Sequence, residues 1–442
     1  MIQTGLIQNA HNDLLTDAPY DFYGLRLATG SIDQRIKVWQ LDESNGNWKV
    51  EDDWKAHDAA ISKICWAHPE FGTIIASSSF DRTVKIWEQT SFGSQPEAQV
   101  NLNLNGAGST APLQAASVPS TSRWVERSTL VDARGTVRAV EFSPRHFGLK
   151  LATISSDNHL RIYECLEQSS LTTWQLSEEV DVLALPSTSS PSSHSVAFAT
   201  PTQTNATLDG ASASLVAQAL QQSQAPSGQT RPGMGNREAD GGWCISWCKD
   251  RYWGEVIAAG SGISGVVKII HMSPSRRPTT LLALDPSPTP YPSSSEATAT
   301  ALAPTSDTDT PAPHAITSVA WAPSCGRSYH LVATGGRDGH VRIWRVKPAD
   351  EGDADADGEG EGSDHRWTGI VVADFDHHRS AVGRVEWNIT GTVLSSAGND
   401  GRIRLWKATI GNVWRPAGSI GVEQTEEQQD NDVTMDENAV TE

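Results

Sequence analysis

Three groupings in this chain hold residue types that chemistry requires. His57 and Asp81, with serines close by, could form a charge relay that activates a hydroxyl for acyl transfer. Cys244 and Cys248 could begin a thiolate metal site. Gly260-Ser261-Gly262-Ile263-Ser264-Gly265 carries the letters of a dinucleotide-binding turn. Each fails on its surroundings. The His–Asp pairing recurs at His11 with Asp33 and His378 with Asp400, whereas a catalytic constellation is unique. Cys244 and Cys248 lie four apart on an apparent strand, with no second Cys or His pair at ligand spacing. The glycine run leads into β-branched Val266-Val267, a strand, and not into a helix N-terminus that could hold a pyrophosphate. The expectation is no enzymatic activity, no catalytic residue, no metal site and no cofactor.

Recurrence is the stronger signal, and self-similarity at a fixed period points to a repeat architecture. Asp33 to Trp39, Asp81 to Trp87, Asp338 to Trp344 and Asp400 to Trp406 share one pattern. Each reads Asp, two variable residues, an aliphatic, a basic residue, an aliphatic, then Trp. Asp157 to Tyr163 repeats it with Tyr at the end, and a sixth copy is degenerate, with Ser264 and Ile270 at the Asp and Trp positions. An aliphatic, small-residue strand precedes each copy, from Leu25 to Thr29 in the first and Val393 to Ser396 in the last. In five copies a further apolar strand lies upstream, from Ile61 to Trp66 through Val382 to Trp387, and His11, His57, His314 and His378 stand before four first strands. This is the WD-repeat pattern, four short strands to one propeller blade.

The residue types follow from their places. Asp occupies the tight turn between second and third strands, where its carboxylate accepts backbone N–H groups. His can donate to that Asp, and Trp fills the space between blades while seeking one acceptor. One buried network per blade is expected, with a nearby Ser or Thr such as Ser31 or Ser79. Its members are His11, Asp33 and Trp39; His57, Asp81 and Trp87; Asp157 and Tyr163; Asp338 and Trp344; His378, Asp400 and Trp406.

The fold expected is all-β, a six-bladed WD-repeat propeller. Fourth strands can be placed in every repeat, including Thr279 to Ala283 in the fourth and Val413 to Ile420 in the last. Yet Ile2, Gln3, Thr4, Gly5, Leu6 and Ile7 also read as a strand. If the last blade is complete, that strand is an orphan whose backbone groups invite strands from a partner chain, making a seventh blade and leaving the ring open. If Val413 to Ile420 is only a tail, Met1 to Ile7 closes blade six instead.

The propeller is expected over residues 1–420, interrupted by insertions at 91–122, 184–240, 272–313 and 348–366, with an acidic tail at 421–442. The insertions are rich in Gly, Ser, Thr, Pro or acid and lack apolar periodicity, which reads as disorder between strands. Asp350 to Asp364 and Glu423 to Glu442 carry sixteen acidic residues between them and no Lys or Arg, against a net charge of −19. The rest of the chain is near neutral, which argues against a direct nucleic-acid surface. Five unevenly spaced cysteines suit a reducing compartment. No apolar run is long enough for a membrane span, and the first residues lack signal-peptide character, so a soluble intracellular protein is expected.

Several stretches carry a closer likeness. Asp13 to Trp39, Trp66 to Gly72, Thr129 to Arg134, Pro144 to Thr153 and Trp387 to Leu394 resemble the SEH nucleoporins, homologues of the SEC-thirteen coat protein. The stretches at Thr129 and Pro144 favour the SEH branch. The resemblance implies an open six-bladed propeller whose seventh blade comes from a helical-solenoid nucleoporin. It implies a scaffold role beside other nucleoporins of the Y-shaped outer-ring complex of the nuclear pore, at the nuclear envelope, in support of protein and mRNA transport. It also implies a place in a vacuole- or lysosome-associated coat-like complex that regulates TOR signalling. The insertions, and the loss of Asp and Trp at Ser264 and Ile270, depart from the family and put any family contact near the fourth blade in doubt. A SEC-thirteen-type vesicle-coat subunit and a generic WD-repeat adaptor are the alternative readings.

Overall fold

The computed structural model describes residues 7–91, 122–185, 238–273, 276–286, 314–347 and 367–421. The expected N-terminal strand lies outside them except for Ile7, which is in no strand, and most of each insertion and the tail from 422 onward also lie outside. Among the described residues, six antiparallel four-stranded sheets form, each from strands consecutive in sequence. Blade one holds β1 (Leu15–Asp17), β2 (Arg26–Ser31), β3 (Arg35–Asp42) and β4 (Asn47–Lys55). Blade two holds β5 (Ile61–Trp66), β6 (Ile74–Ser79), β7 (Val84–Ser91) and β8 (Ser122–Leu130). Blade three holds β9 (Val137–Phe142), β10 (Lys150–Ser155), β11 (His159–Cys165) and β12 (Trp174–Asp181). Blade four holds β13 (Cys244–Trp247), β14 (Glu255–Gly260), β15 (Val267–Ser273) and β16 (Arg276–Leu284). Blade five holds β17 (Ile316–Trp321), β18 (His330–Gly336), β19 (Val341–Lys347) and β20 (Thr368–Phe375). Blade six holds β21 (Val382–Trp387), β22 (Val393–Gly398), β23 (Arg402–Ala408) and β24 (Trp414–Gly421). Helical structure among the described residues is three single 3-10 turns, at Pro69–Phe71, Arg145–Phe147 and Glu238–Asp240.

Two strand counts open in the sequence are resolved here. β24 pairs with β23 along its length, from Arg402 opposite Gly421 to Ala408 opposite Trp414, so the last blade has its own fourth strand. β16 is longer than the Thr279 to Ala283 expected and occupies part of the stretch read as the 272–313 insertion, because it pairs with β15 from Arg276 opposite Ser273 to Leu284 opposite Val267.

The turns between second and third strands repeat one local solution. Asp33, Asp81, Asp157, Asp338 and Asp400 each accept the backbone N–H two residues on, at 2.9–3.2 Å. The residue after each Asp takes positive φ, from 66° at Asn158 to 81° at Gly339. Gln34, Arg82 and Asn158 tolerate this, but a Cβ at Gly339 would lie 2.0 Å from the His378 carbonyl, so only glycine fits there.

The core lies between blades. Five buried clusters fill the five junctions between successive blades. In each, Ala and aliphatic residues on one sheet meet the first and third strands of the next. Val84 and Ile86 of blade two, for instance, face Val137, Val140 and Tyr163 of blade three. Each junction also has a side chain on one first strand that accepts a backbone N–H from the next. Asp17 takes that of Ile64, Cys65 that of Phe142, Glu141 that of Trp247, Ser246 that of Trp321 and Ser318 that of Val385, at 2.9–3.4 Å.

One core group has a pH consequence. His330 is buried among Trp253, Trp321 and Trp367, stacked on Trp367 at 5.9 Å. Burial pushes its pKa below the usual 6.5, with Asp250 opposing and Arg327 adding to the fall. The unfolded chain therefore binds the proton more readily, and stability falls as pH drops through about 6.5. We expect His330→Leu to shrink the loss of melting temperature between about pH 7 and pH 5. The slope persists in part, because His378 and His146 are shifted in the same direction. Melting curves of both proteins across that range check this, and an unchanged slope would contradict it.

Candidate functional site

The His, Asp and Trp residues of the repeats meet inside the blades. In blade two His57 Nδ1 lies 2.9 Å from Asp81, and its Nε2 lies 2.8 Å from Ser77 Oγ. Trp87 Nε1 donates to the same Ser77 hydroxyl at 2.9 Å. Burial raises the Asp81 pKa, but the hydrogen bonds from His57 and Thr83 outweigh it and hold the carboxyl well below the usual carboxylate range. An ionised Asp only accepts, so Nδ1 carries a proton and donates to it, which leaves Nε2 to the Ser77 hydroxyl. The serine oxygen then receives the Trp N–H. The Ser77 hydroxyl thus links the imidazole to the indole.

Blade one repeats this with His11, Asp33, Thr29 and Trp39, and blade six with His378, Asp400, Ser396 and Trp406. Burial raises the Asp400 pKa while Arg404 and His378 lower it further, to about 2. The linking hydroxyls are those of Thr29 and Ser77 on the second strand. Ser31 and Ser79, named from spacing, instead accept the N–H of Asp33 and Asp81 and donate to loop carbonyls, because their side chains sit two residues further along at the turn.

Two blades depart further. In blade three Asp157 is held by Arg161, which also reaches Ser155 at 2.7 Å, and burial together with Asp132 raises the pKa of Tyr163. In blade five Arg342 binds Asp338 at 2.8 Å and Trp344 donates to Thr334, while His314 is exposed and takes no part in those bonds. An arginine on the third strand can reach the Asp four residues back and replaces the imidazole. Blade four keeps neither partner, and its buried Ile270 packs against blade three where other blades place Trp or Tyr.

These networks recur inside the blades. The feature that differs between blades is the face each shows its neighbour. Ile36, Val84, Leu160, Val267 and Val341 occupy the third position after the turn Asp or its Ser264 counterpart, and all are at most 2% exposed. Ile403 holds that position in blade six and is 43% exposed, with Leu405 beside it half-buried. At the other end of the ring, Ile61, Val137, Ile316 and Val382 are at most 5% exposed, and Leu15, their counterpart in β1, is 51% exposed. No core cluster of described residues spans blades six and one. An ion pair does: Arg384 of β21 donates to the buried Asp17 of β1, which Lys63 also approaches at 3.5 Å. The ring is open, tethered near its axis and apolar on both walls of the gap.

Comparison with known proteins accords with this geometry. The WD domain, G-beta repeat profile matches residues 4–40, 48–88, 308–345 and 369–407. Nucleoporin SEH1 of Saccharomyces cerevisiae is 30% identical over 443 residues, covering 94% of this chain and 99% of its own. Nucleoporin SEH1 of Homo sapiens and Nucleoporin SEH1-A of Xenopus laevis are each 33% identical over 422 residues, covering 93% of this chain and 86% of theirs. The chain belongs to the SEH1 nucleoporin family. SEH1 nucleoporins with their WD repeats are a structural, non-enzymatic kind of protein. The repeat profile skips blades three and four, the two in which Arg161, Tyr163, Ser264 and Ile270 replace the usual residues.

Sequence reasoning placed the docking edge at Ile2 to Ile7 and did not single out Ile403, Leu405, Leu15, Asp17 or Arg384. The signal for Ile403 was present only as its membership of a sixth repeat with no seventh to cover it.

Proposed function

We propose that this SEH1-family protein is a scaffold subunit of the Y-shaped outer-ring complex of the nuclear pore, at the nuclear envelope, supporting protein and mRNA transport. In that role a helical-solenoid nucleoporin inserts a β-blade into the gap, and other Y-complex nucleoporins join through it. The observation that carries the reading is the pair of bare apolar walls at Ile403 and Leu15, whose counterparts are buried at the five complete junctions. Burying such surface is the dominant drive for association, and an inserted sheet offers both aliphatic cover and backbone partners. The same edge serves in a vacuole- or lysosome-associated coat-like complex regulating TOR signalling, because any solenoid carrying an equivalent blade fits it.

The test is affinity purification of the tagged full chain with cross-linking and imaging. A solenoid nucleoporin cross-linked beside β23, with a nuclear rim signal, is expected. Puncta at vesicle exit sites with a vesicle-coat partner would favour the sister coat subunit, and a self-closed ring in a density map would end the proposal. Residues Met1 to Ile7 belong to the same reading. Their deletion is expected to leave the melting temperature nearly unchanged and to weaken capture of the partner by about tenfold. Full-strength capture by the truncated protein would remove that segment from the docking edge.

A further inference from the structure

A cavity of about 700 Å³ lies at the axis of the ring, lined mainly by the first strands of the blades. Gly241 and Gly242 line one end of it, and the 3-10 turn Glu238–Asp240 precedes them in the chain. It is seated closely. The Gly242 N–H donates to the Gly262 carbonyl at 2.9 Å, and a Cβ on Gly242 would fall 1.9 Å from the Ile316 carbonyl oxygen.

The two acids of the turn reach cations on the two blades that flank blade four. Glu238 accepts from Thr136 Oγ1 and lies 4.0 Å from the Arg138 guanidinium. On the next blade, blade five, Arg337 donates to the Ala239 carbonyl and lies 3.6 Å from Asp240. Arg138 is already oriented, its guanidinium 4.7 Å from the Phe80 ring and 5.6 Å from the Trp243 ring. Burial lowers the pKa of Arg138, Arg337 lowers it further, and Glu238 opposes both. Two like charges thus face one space, and the acids that offset them come from a short segment leading into β13.

We propose that Arg138, Arg337, Phe80, Trp243 and Thr136 form a binding site for an acidic peptide segment, occupied in cis by the chain's own Glu238-Ala239-Asp240. The occupant shows the chemistry the site takes: two carboxylates one residue apart, with the carbonyl between them accepting from an arginine. Planar guanidinium groups suit such acceptors. The ion pairs are half-exposed, and such pairs are individually weak, so an acidic segment of a partner can displace the turn. The turn is then an autoinhibitory stand-in for that partner. Nothing in this depends on the seventh blade.

The experiment uses the full chain and a fluorescein-labelled peptide of sequence Glu-Ala-Asp-Gly-Gly, with anisotropy as the readout. The Glu238→Ala, Asp240→Ala protein is expected to bind about tenfold more tightly than wild type. Adding Arg337→Gln, whose side chain is 40% exposed and outside the core, is expected to return binding to the wild-type level. Melting curves confirm that each protein is folded. Equal binding by wild type and the double variant would overturn the proposal. So would a gain that survives Arg337→Gln, or tighter binding of an oligothymidylate than of the peptide.

Discussion

A protein carrying Ile403→Glu and Leu405→Glu is expected to melt at nearly the wild-type temperature and to lose about a hundredfold in affinity for its solenoid partner. In the free propeller these side chains face the gap, so their replacement removes little buried surface. In the docked state they are covered, and two carboxylates there would be left unpaired in an apolar interface. The matched control is Val84→Glu with Ile86→Glu in blade two. Those residues hold the same two positions but are at most 2% exposed, so that protein is expected not to fold. Circular dichroism melts and calorimetric titration with the purified partner decide it. If the blade-six variant is as unstable as its control, the edge is not bare. If it keeps its affinity, the partner docks elsewhere.

Trp87→Ala is expected to cost about 3–5 kcal/mol of stability, the range for truncating a large core aromatic. Trp87 is 5% exposed and packs against Trp54 with ring centres 5.4 Å apart. Its removal opens a cavity between blades one and two and takes away the N–H that Ser77 accepts. Trp87→Phe separates the two effects. It keeps most of the volume and loses the hydrogen bond, so a cost of about 1 kcal/mol is expected. Denaturant melts of the three proteins measure this. A melt of Trp87→Ala that matches wild type would contradict the place of Trp87 in the core.

Both predictions separate what holds a blade together from what lets the ring take a partner. The His, Asp and Trp residues do the first. They recur because each blade has the same problem, a tight turn with N–H groups to satisfy and one indole N–H to pair inside the sheet. The aliphatic positions between them do both, depending on whether another blade stands in front of them.

Much of this was legible in the residues. Turn Asp residues, the aliphatic and basic alternation of the third strand and the terminal Trp are local signals, spaced within seven residues; they mark four blades in full and two in weakened form. Even the fourth strand of the last blade could be read from Val413 to Ile420, and the structure pairs Trp414–Gly421 with β23. Which hydroxyl links His to Trp was less legible. Ser77 and Ser79 are two apart, and their separate roles depend on how the neighbouring first strand approaches. His314 fits the spacing of its three counterparts but is exposed, and Arg342 holds Asp338 in that blade.

The alternation Ile403-Arg404-Leu405 is indistinguishable in type from Val84-Lys85-Ile86 and Val341-Arg342-Ile343. Strand periodicity and turn chemistry act over a few residues, so they establish that each repeat is a blade with an apolar face. Whether that face is covered depends on contact between the last blade and the first, separated by nearly the whole described chain. Such contact is set by how six twisted sheets add up around an axis, and only the folded ring leaves Ile403 and Leu15 bare while Arg384 reaches Asp17.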